Sequence, residues 1–193
     1  MTHDDVLERF RQAGALLEGH FQLSSGLHSA GYLQCALVLQ HPSDAARLGE
    51  ALAESARRLE PTVVLSPALG GVIIGHEVAR ALGVRALFAE RQDGTLVLRR
   101  GFRLEPDDRV LVVEDVITTG GSTRETIDVA RQAGAEVVGA AAIIDRSGEA
   151  AVAIDAPFIA LTTLKIETYE PASCPLCARG MPLVKPGSRV RPS

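Results

Sequence analysis

Two adjacent carboxylates, Glu114 and Asp115, close an apolar run, Val110 to Val113, and stand just before Val116-Ile117-Thr118-Thr119-Gly120-Gly121-Ser122-Thr123. Carboxylates accept hydrogen bonds, so this pair suits ribose hydroxyls or Mg²⁺ held through water. The hydroxyls and the glycine N–H groups that follow, at the start of a helix, suit a phosphate. The ligand implied is a sugar carrying a terminal phosphate. No Gly-Lys-Ser/Thr occurs, which excludes a Walker loop, and the dinucleotide fingerprint has no acidic pair ahead of its glycines.

The elements that must position these groups are legible around them. Four consecutive apolar residues read as a strand buried on both faces of a parallel sheet. Acids at its end are tolerable where they leave the sheet for a site, and open α/β sheets bind ligands at that carboxyl edge. The following helix is expected from Gly121 to about Ala133, stopped by Gly134. A second junction of the same kind is Thr62 to Ser66, then Pro67-Ala-Leu-Gly70-Gly71, then a helix over 72–82. Gly70 and Gly71 there let backbone N–H groups approach a second anion. Val84 to Phe88 predicts a third strand, and Asp93-Gly94 predicts a hairpin turn to Leu96-Val97-Leu98. Arg91, Arg99 and Arg100 flank that turn. Glu136 to Ile144 predicts another strand ending in Asp145-Arg146-Ser147, where Arg146 is placed to grip a carboxylate or to pair with Asp145. Phe158 to Leu161 makes a last strand, extendable through 164–166. Ahead of these, apolar spacing predicts a helix over 4–18 stopped by Gly19, and another after Pro42 capped by Ser43.

The 193 residues suit one domain with a sizeable core, at 46% hydrophobic and 23% charged content. A net charge of −4 argues against a nucleic-acid surface. No apolar run reaches membrane length, and an acidic start where a leader would be basic makes the cytoplasm the expected location. All basic side chains except Lys165 and Lys185 are arginines, so anion binding falls to rigid, permanently charged forks. Three cysteines argue against a disulfide framework. Cys174-Pro-Leu-Cys177 is half of a zinc ribbon with no His or Cys partner nearby in sequence. Reduced, partly buried thiols are the expected reading, and two copies meeting across a dimer the alternative. The proline-rich tail from Pro171 reads as an extended arm.

The segment 109–123 resembles the phosphoribosyl-pyrophosphate (PRPP) motif of type I phosphoribosyltransferases, and its Glu-Asp-Val-Ile-Thr-Thr-Gly form is most similar to the orotate phosphoribosyltransferase family. Phe21-Gln-Leu-Ser-Ser-Gly26 resembles that family's hood over the base. The resemblance implies an α/β fold with a central, mostly parallel sheet flanked by helices, a small N-terminal hood and a hairpin loop. It implies one domain over 1–193, with hood elements about 1–40, core about 44–163 and C-terminal arm about 165–193. It also implies PRPP and orotate as substrates, Mg²⁺ as cofactor and a homodimer. Glu114, Asp115 and Arg91 become the catalytic group. The PRPP set is Glu114 to Ser122, Gly70, Gly71, Arg91, Arg99 and Arg100. Thr118, Arg146, Ser25, Gly26 and Tyr32 become the orotate set.

The chain departs from the family pattern where lysines are usual, at Ser24, Leu69 and Gln92, and no loop histidine or further loop lysine aligns. It is expected to be a branch that uses arginine in their place. A purine or other salvage phosphoribosyltransferase, or a PRPP-sensing regulator, would keep the same cradle.

Overall fold

The structure is a computed structural model that describes residues 1–23, 25–148 and 154–186. In chain order, α1 (His3–Gln12) is closed at its start by a reciprocal Thr2–Asp5 capping box. Next come β1 (Leu16–Gln22), β2 (His28–Leu33), α2 (Cys35–Leu39) and α3 (Pro42–Ala56). The core continues with β3 (Val63–Pro67), α4 (Gly70–Leu82), β4 (Arg85–Gln92), β5 (Thr95–Leu98), β6 (Arg109–Ile117), α5 (Gly121–Gln132), β7 (Glu136–Asp145) and β8 (Phe158–Thr163). The short β9 (Thr168–Tyr169) and α6 (Pro175–Ala178) follow.

Six strands form one sheet in the order β5-β4-β3-β6-β7-β8, parallel except where β5 turns back on β4. Strand β6 is central, and its apolar residues obey the period of two. Leu111 and Val113 pack toward α1 to α4 with Leu48, Leu52, Ile74 and Val78. Val110 and Val112 pack on the other face with Ile127 and Ala130 of α5. Both faces are therefore covered, and all four residues are fully buried. Helices α3 and α4 approach closely because Gly49 has no side chain, since a Cβ there would lie 2.5 Å from Glu77 Cβ. Among the described residues, no helix is long and apolar enough to cross a membrane.

A second, three-stranded sheet of order β1-β2-β9 stands apart from the core sheet. Its three strands are antiparallel, and Phe21 also bridges to Val184 in the C-terminal arm.

Several boundaries differ from the sequence expectations. The predicted helix over 4–18 ends at Gln12, because Gly14 takes a left-handed φ of +62° and Leu16 and Leu17 enter β1. Their apolar spacing serves strand packing, which helical periodicity cannot distinguish over so short a run. Pro42 itself is the first residue of α3, with His41 at the cap, so Ser43 lies inside the helix. Helix α4 begins at Gly70 rather than 72, which places both glycines in its first turn. Residues 164–166 lie outside β8. The hairpin is as expected: Asp93 and Gly94 have φ of +51° and +88°, and Gln92 faces Thr95.

Candidate active site

Glu114 and Asp115 lie near the carboxyl end of β6 and line a cavity of about 290 Å³ with Gly70, Arg91, Val116 and Ser122. Glu114 is only 6% exposed, and its Oε2 accepts a hydrogen bond from Ser122 Oγ at 2.9 Å. Asp115 Oδ1 accepts the Val116 N–H at 2.8 Å. Gly70 has a steric role, since a Cβ there would lie 2.9 Å from Asp115 Oδ1. The glycine makes room for the carboxylate as well as exposing its own N–H. The preceding peptide, Ala68–Leu69, is cis.

Burial, and then the neighbouring Asp115 charge, push the Glu114 carboxyl up to about 8, against the opposing pull of the Ser122 hydroxyl. Asp115 is also raised, chiefly by burial, with the Val116 N–H opposing. The nearest lining cation is already engaged: Arg91 pairs with Glu125 at 2.9 Å and donates to Gly94 O at 2.6 Å. A buried and a half-buried acid with no cation paired to either among the described residues fit a divalent cation, or hydroxyl donors, supplied by a ligand.

This has a measurable consequence for the ligand-free protein. Unfolded, Glu114 titrates near 4.5; folded, it holds its proton to about 8. The folded state therefore binds more protons between those values, so stability falls as pH rises through that window. We expect the melting temperature to decline from about pH 5 to about pH 8. Glu114→Gln should flatten the decline and be the more stable form at the alkaline end. Parallel curves for the two proteins would remove this assignment.

Below the acids, Gly120 takes a left-handed φ of +70° and α5 starts at Gly121. The first helical bond is Arg124 N–H to Gly120 O, so the N–H groups of Gly121, Ser122 and Thr123 lie ahead of the helical ladder. Thr118 and Thr119 are exposed and line a larger cavity of about 780 Å³. Ile117 is buried beneath them as the last residue of β6.

The far wall of the larger cavity is built by the small sheet: Gln22, Leu23, Ser25, Leu27 and Tyr32 line it. Gly26 turns the chain there with φ +89° and donates its N–H to Leu23 O. Tyr32 also packs against Phe21, with ring centroids 5.9 Å apart, so it serves as both wall and local core. Arg146 projects from the end of β7 into the same cavity, its N–H fixed on Ile117 O at 2.7 Å. The alternative Asp145–Arg146 pair does not form. Asp145 Oδ1 instead accepts from Ser147 N at 2.8 Å and Ser147 Oγ at 2.6 Å. Arg146 Nε is buried without a partner among the described residues, and burial lowers the guanidinium pKa. An arginine held in this way is set for an anionic ligand.

Of the expected arginines, two are not gathered in, and Gly71 is buried and lines neither cavity. Arg100 forms a two-pronged pair with Glu90 at 2.7 and 2.8 Å and lies over the Phe88 ring, and its φ is +57°. Arg99 is exposed beyond the end of β5. Neither lines either cavity. Conversely, Lys185 and Ile166 line the larger cavity, and Cys35 sits beside Asp115, its thiol pushed well up by burial and that carboxylate. No spacing in the sequence connects those three to the site, because the arm that carries Lys185 reaches it through the Phe21–Val184 bridge.

The Phosphoribosyl transferase domain family matches residues 37–173. The orotate phosphoribosyltransferase of Carboxydothermus hydrogenoformans is 54% identical over 187 residues, covering 96% of this chain and 97% of the relative. That of Pelotomaculum thermopropionicum is 52% identical, covering 98% and 99%. Among solved structures, Mycobacterium tuberculosis orotate phosphoribosyltransferase in complex with PRPP superposes with a TM-score of 0.66 at 25% identity, over 84% of this chain and 96% of that one. The Aeropyrum pernix enzyme gives a TM-score of 0.65 at 26% identity, over 82% and 93%. An acid pair on the central strand, a helix-start cradle beneath it and full-length likeness to these proteins converge, and the chain belongs to the orotate phosphoribosyltransferase family of type I phosphoribosyltransferases.

Proposed function

We propose that the chain transfers the phosphoribosyl group of PRPP to orotate, giving orotidine 5′-monophosphate and pyrophosphate in pyrimidine synthesis. The observation that carries this reading is that one loop serves both cavities: Thr118 and Thr119 line the larger, and Ser122 lines the smaller. A ligand whose phosphate sits on that loop can present its sugar to the acids and its anomeric carbon to a base under the hood.

In this arrangement Glu114 and Asp115 take the ribose 2′ and 3′ hydroxyls, and the loop 118–122 takes the 5′-phosphate. Gly70 and Arg91 face the pyrophosphate, with Arg91 exchanging its Glu125 contact for the leaving group. Arg146 takes the orotate carboxylate, while Ser25, Gly26, Tyr32 and Thr118 frame the ring. As the bond to pyrophosphate breaks, positive charge grows on the sugar beside the acid pair, and negative charge grows on the side of Arg91. The protein acts by orientation and fixed charge, and no protein nucleophile is required. Mg²⁺, when bound with PRPP, neutralises the pyrophosphate, and Glu114 and Asp115 are the residues to hold it through water.

The chain works as one domain, with the core over about 44–163 and the hood formed by its two ends. It acts in the cytoplasm as a homodimer, with Arg91 the cation left on the pyrophosphate side, since Arg99 and Arg100 lie outside both cavities. A purine has no carboxylate to engage Arg146, which favours orotate over salvage. Loss of orotate absorbance on adding PRPP and Mg²⁺ tests the reading, with adenine, hypoxanthine, xanthine and uracil run alongside. Turnover of a purine with orotate untouched would replace it with salvage, and PRPP binding without turnover would replace it with a sensor.

A further inference from the structure

The small sheet and the C-terminal arm bring together four side chains that the transfer reaction does not use. They are His20 on β1, His28 on β2, and Cys174 and Cys177 around α6, each offering one ligand atom, all within 4.8 Å of one another. His20 Nε2 lies 2.9 Å from His28 Nδ1, 3.6 Å from Cys174 Sγ and 3.7 Å from Cys177 Sγ. Cys177 Sγ lies 3.3 Å from His28 Nδ1. His20, His28 and Cys174 are buried.

Hydrogen bonding alone does not account for this cluster. His20 Nδ1 lies 2.9 Å from the Met181 carbonyl oxygen, which can only accept, so Nδ1 carries the proton. In the neutral ring Nε2 is then a bare lone pair, aimed at three other atoms of which it can engage one. Two imidazole nitrogens and two sulfurs converging on one point are satisfied together by a soft cation at their centre. A tetrahedral Zn²⁺, with Zn–N of about 2.0–2.1 Å and Zn–S of about 2.3 Å, sets its ligand atoms roughly 3.3 to 3.8 Å apart. The three N···S contacts of 3.3 to 3.7 Å match that spacing, and the full set reaches it once the imidazoles separate by a few tenths of an ångström and the widest pair, within 4.8 Å, draws in by about an ångström. The Nδ1–H to carbonyl bond is also the outer contact that characteristically fixes the tautomer of a metal-bound histidine. His20 lies within a register shift between Glu18 and Phe21 in the β1–β2 pairing.

The geometry points to a structural Zn²⁺ site of the His₂Cys₂ class within one chain, fastening the hood to the arm. His20 and His28 supply in space the partners that the sequence around Cys174 and Cys177 lacks, so such a site needs no second copy. The partners were hidden because His20 and His28 lie some 150 residues from the cysteines in sequence, and the fold brings the segments together. All four positions of a tetrahedron come from protein, which makes the site closed and structural rather than catalytic. Binding releases the two thiol protons, so occupancy falls in acid. The metal would hold the arm that carries Lys185 to the larger cavity.

The test uses the untagged full chain purified without chelator. Elemental analysis should find about one zinc per chain, falling below a tenth in Cys177→Ala and in His28→Ala, while Cys177→His keeps it. Cobalt(II) added to the stripped, reduced protein should give the visible absorption and thiolate charge-transfer bands of a tetrahedral site. Zinc at about a hundredfold excess over its dissociation constant should raise the melting temperature of the stripped wild type, but not that of Cys177→Ala. On the wild type alone, zinc should slow alkylation of Cys174 and Cys177 at least tenfold relative to chelated protein, which keeps the test decisive where a variant does not fold. Wild-type protein with less than a tenth of a zinc per chain, together with a stripped form whose melting and alkylation zinc leaves unchanged, overturns the site. None of these readouts depends on the transfer activity.

Discussion

Asp115→Asn is expected to lower kcat/KM for phosphoribosyl transfer by about a hundred- to a thousandfold, the range for removing one preorganised electrostatic contact to a transition state. The substitution is nearly isosteric, so the amide fits against Gly70, where a Cβ would already meet the carboxylate. It keeps one acceptor for the Val116 N–H and removes the charge that faces the sugar. Stability should hold or rise, because the carboxyl is one whose ionisation burial already disfavours. Steady-state kinetics beside a thermal melt separates the two effects. Activity within about threefold of wild type would remove Asp115 from the reaction, and a large fall in melting temperature would make it a structural residue instead.

Arg146→Ala carries the second large effect, on one substrate. Arg146 is half-buried with its Nε buried, and truncating a charge that a bound ligand would desolvate and pair costs roughly 2–5 kcal/mol, which is about thirtyfold to several thousandfold in affinity. The loss should appear in KM for orotate, with KM for PRPP within about threefold, because Arg146 lines the larger cavity and not the one that holds the acids. Folding should not suffer, since Arg146 forms no ion pair among the described residues and its Nε has no partner. Arg146→Lys should recover part of the affinity, as a point charge without the planar fork. Equal losses for both substrates would end the assignment to the base.

The acid pair and its cradle were legible because local chemistry forces them: an apolar strand, two carboxylates and a glycine turn have few other uses when contiguous. The hairpin was legible for the same reason, since Asp93-Gly94 accepts positive φ at little cost. Roles set by distant partners could not be read. Arg91 and Arg100 look alike in sequence, yet Arg91 reaches the acids' cavity while Glu90 claims Arg100. Glycine at 70 suggested an exposed N–H, whereas its contact with Asp115 shows that clearance for a side chain is an equal reason. The first helix was overrun by six residues, because Leu16 and Leu17 fit a helical stripe and a strand equally well, and only the left-handed turn at Gly14 decides between them.

The hood sheet draws β1 and β2 from one end of the chain and β9 from the other, and Val184 pairs with Phe21. During synthesis the first two strands leave the ribosome long before their partners exist. The central sheet, whose neighbours are nearer in sequence, can form while the hood remains a hairpin with an open edge. The wall that the small sheet gives the larger cavity therefore closes only after β9 and Val184 have been made, later than the central sheet that carries the acid pair.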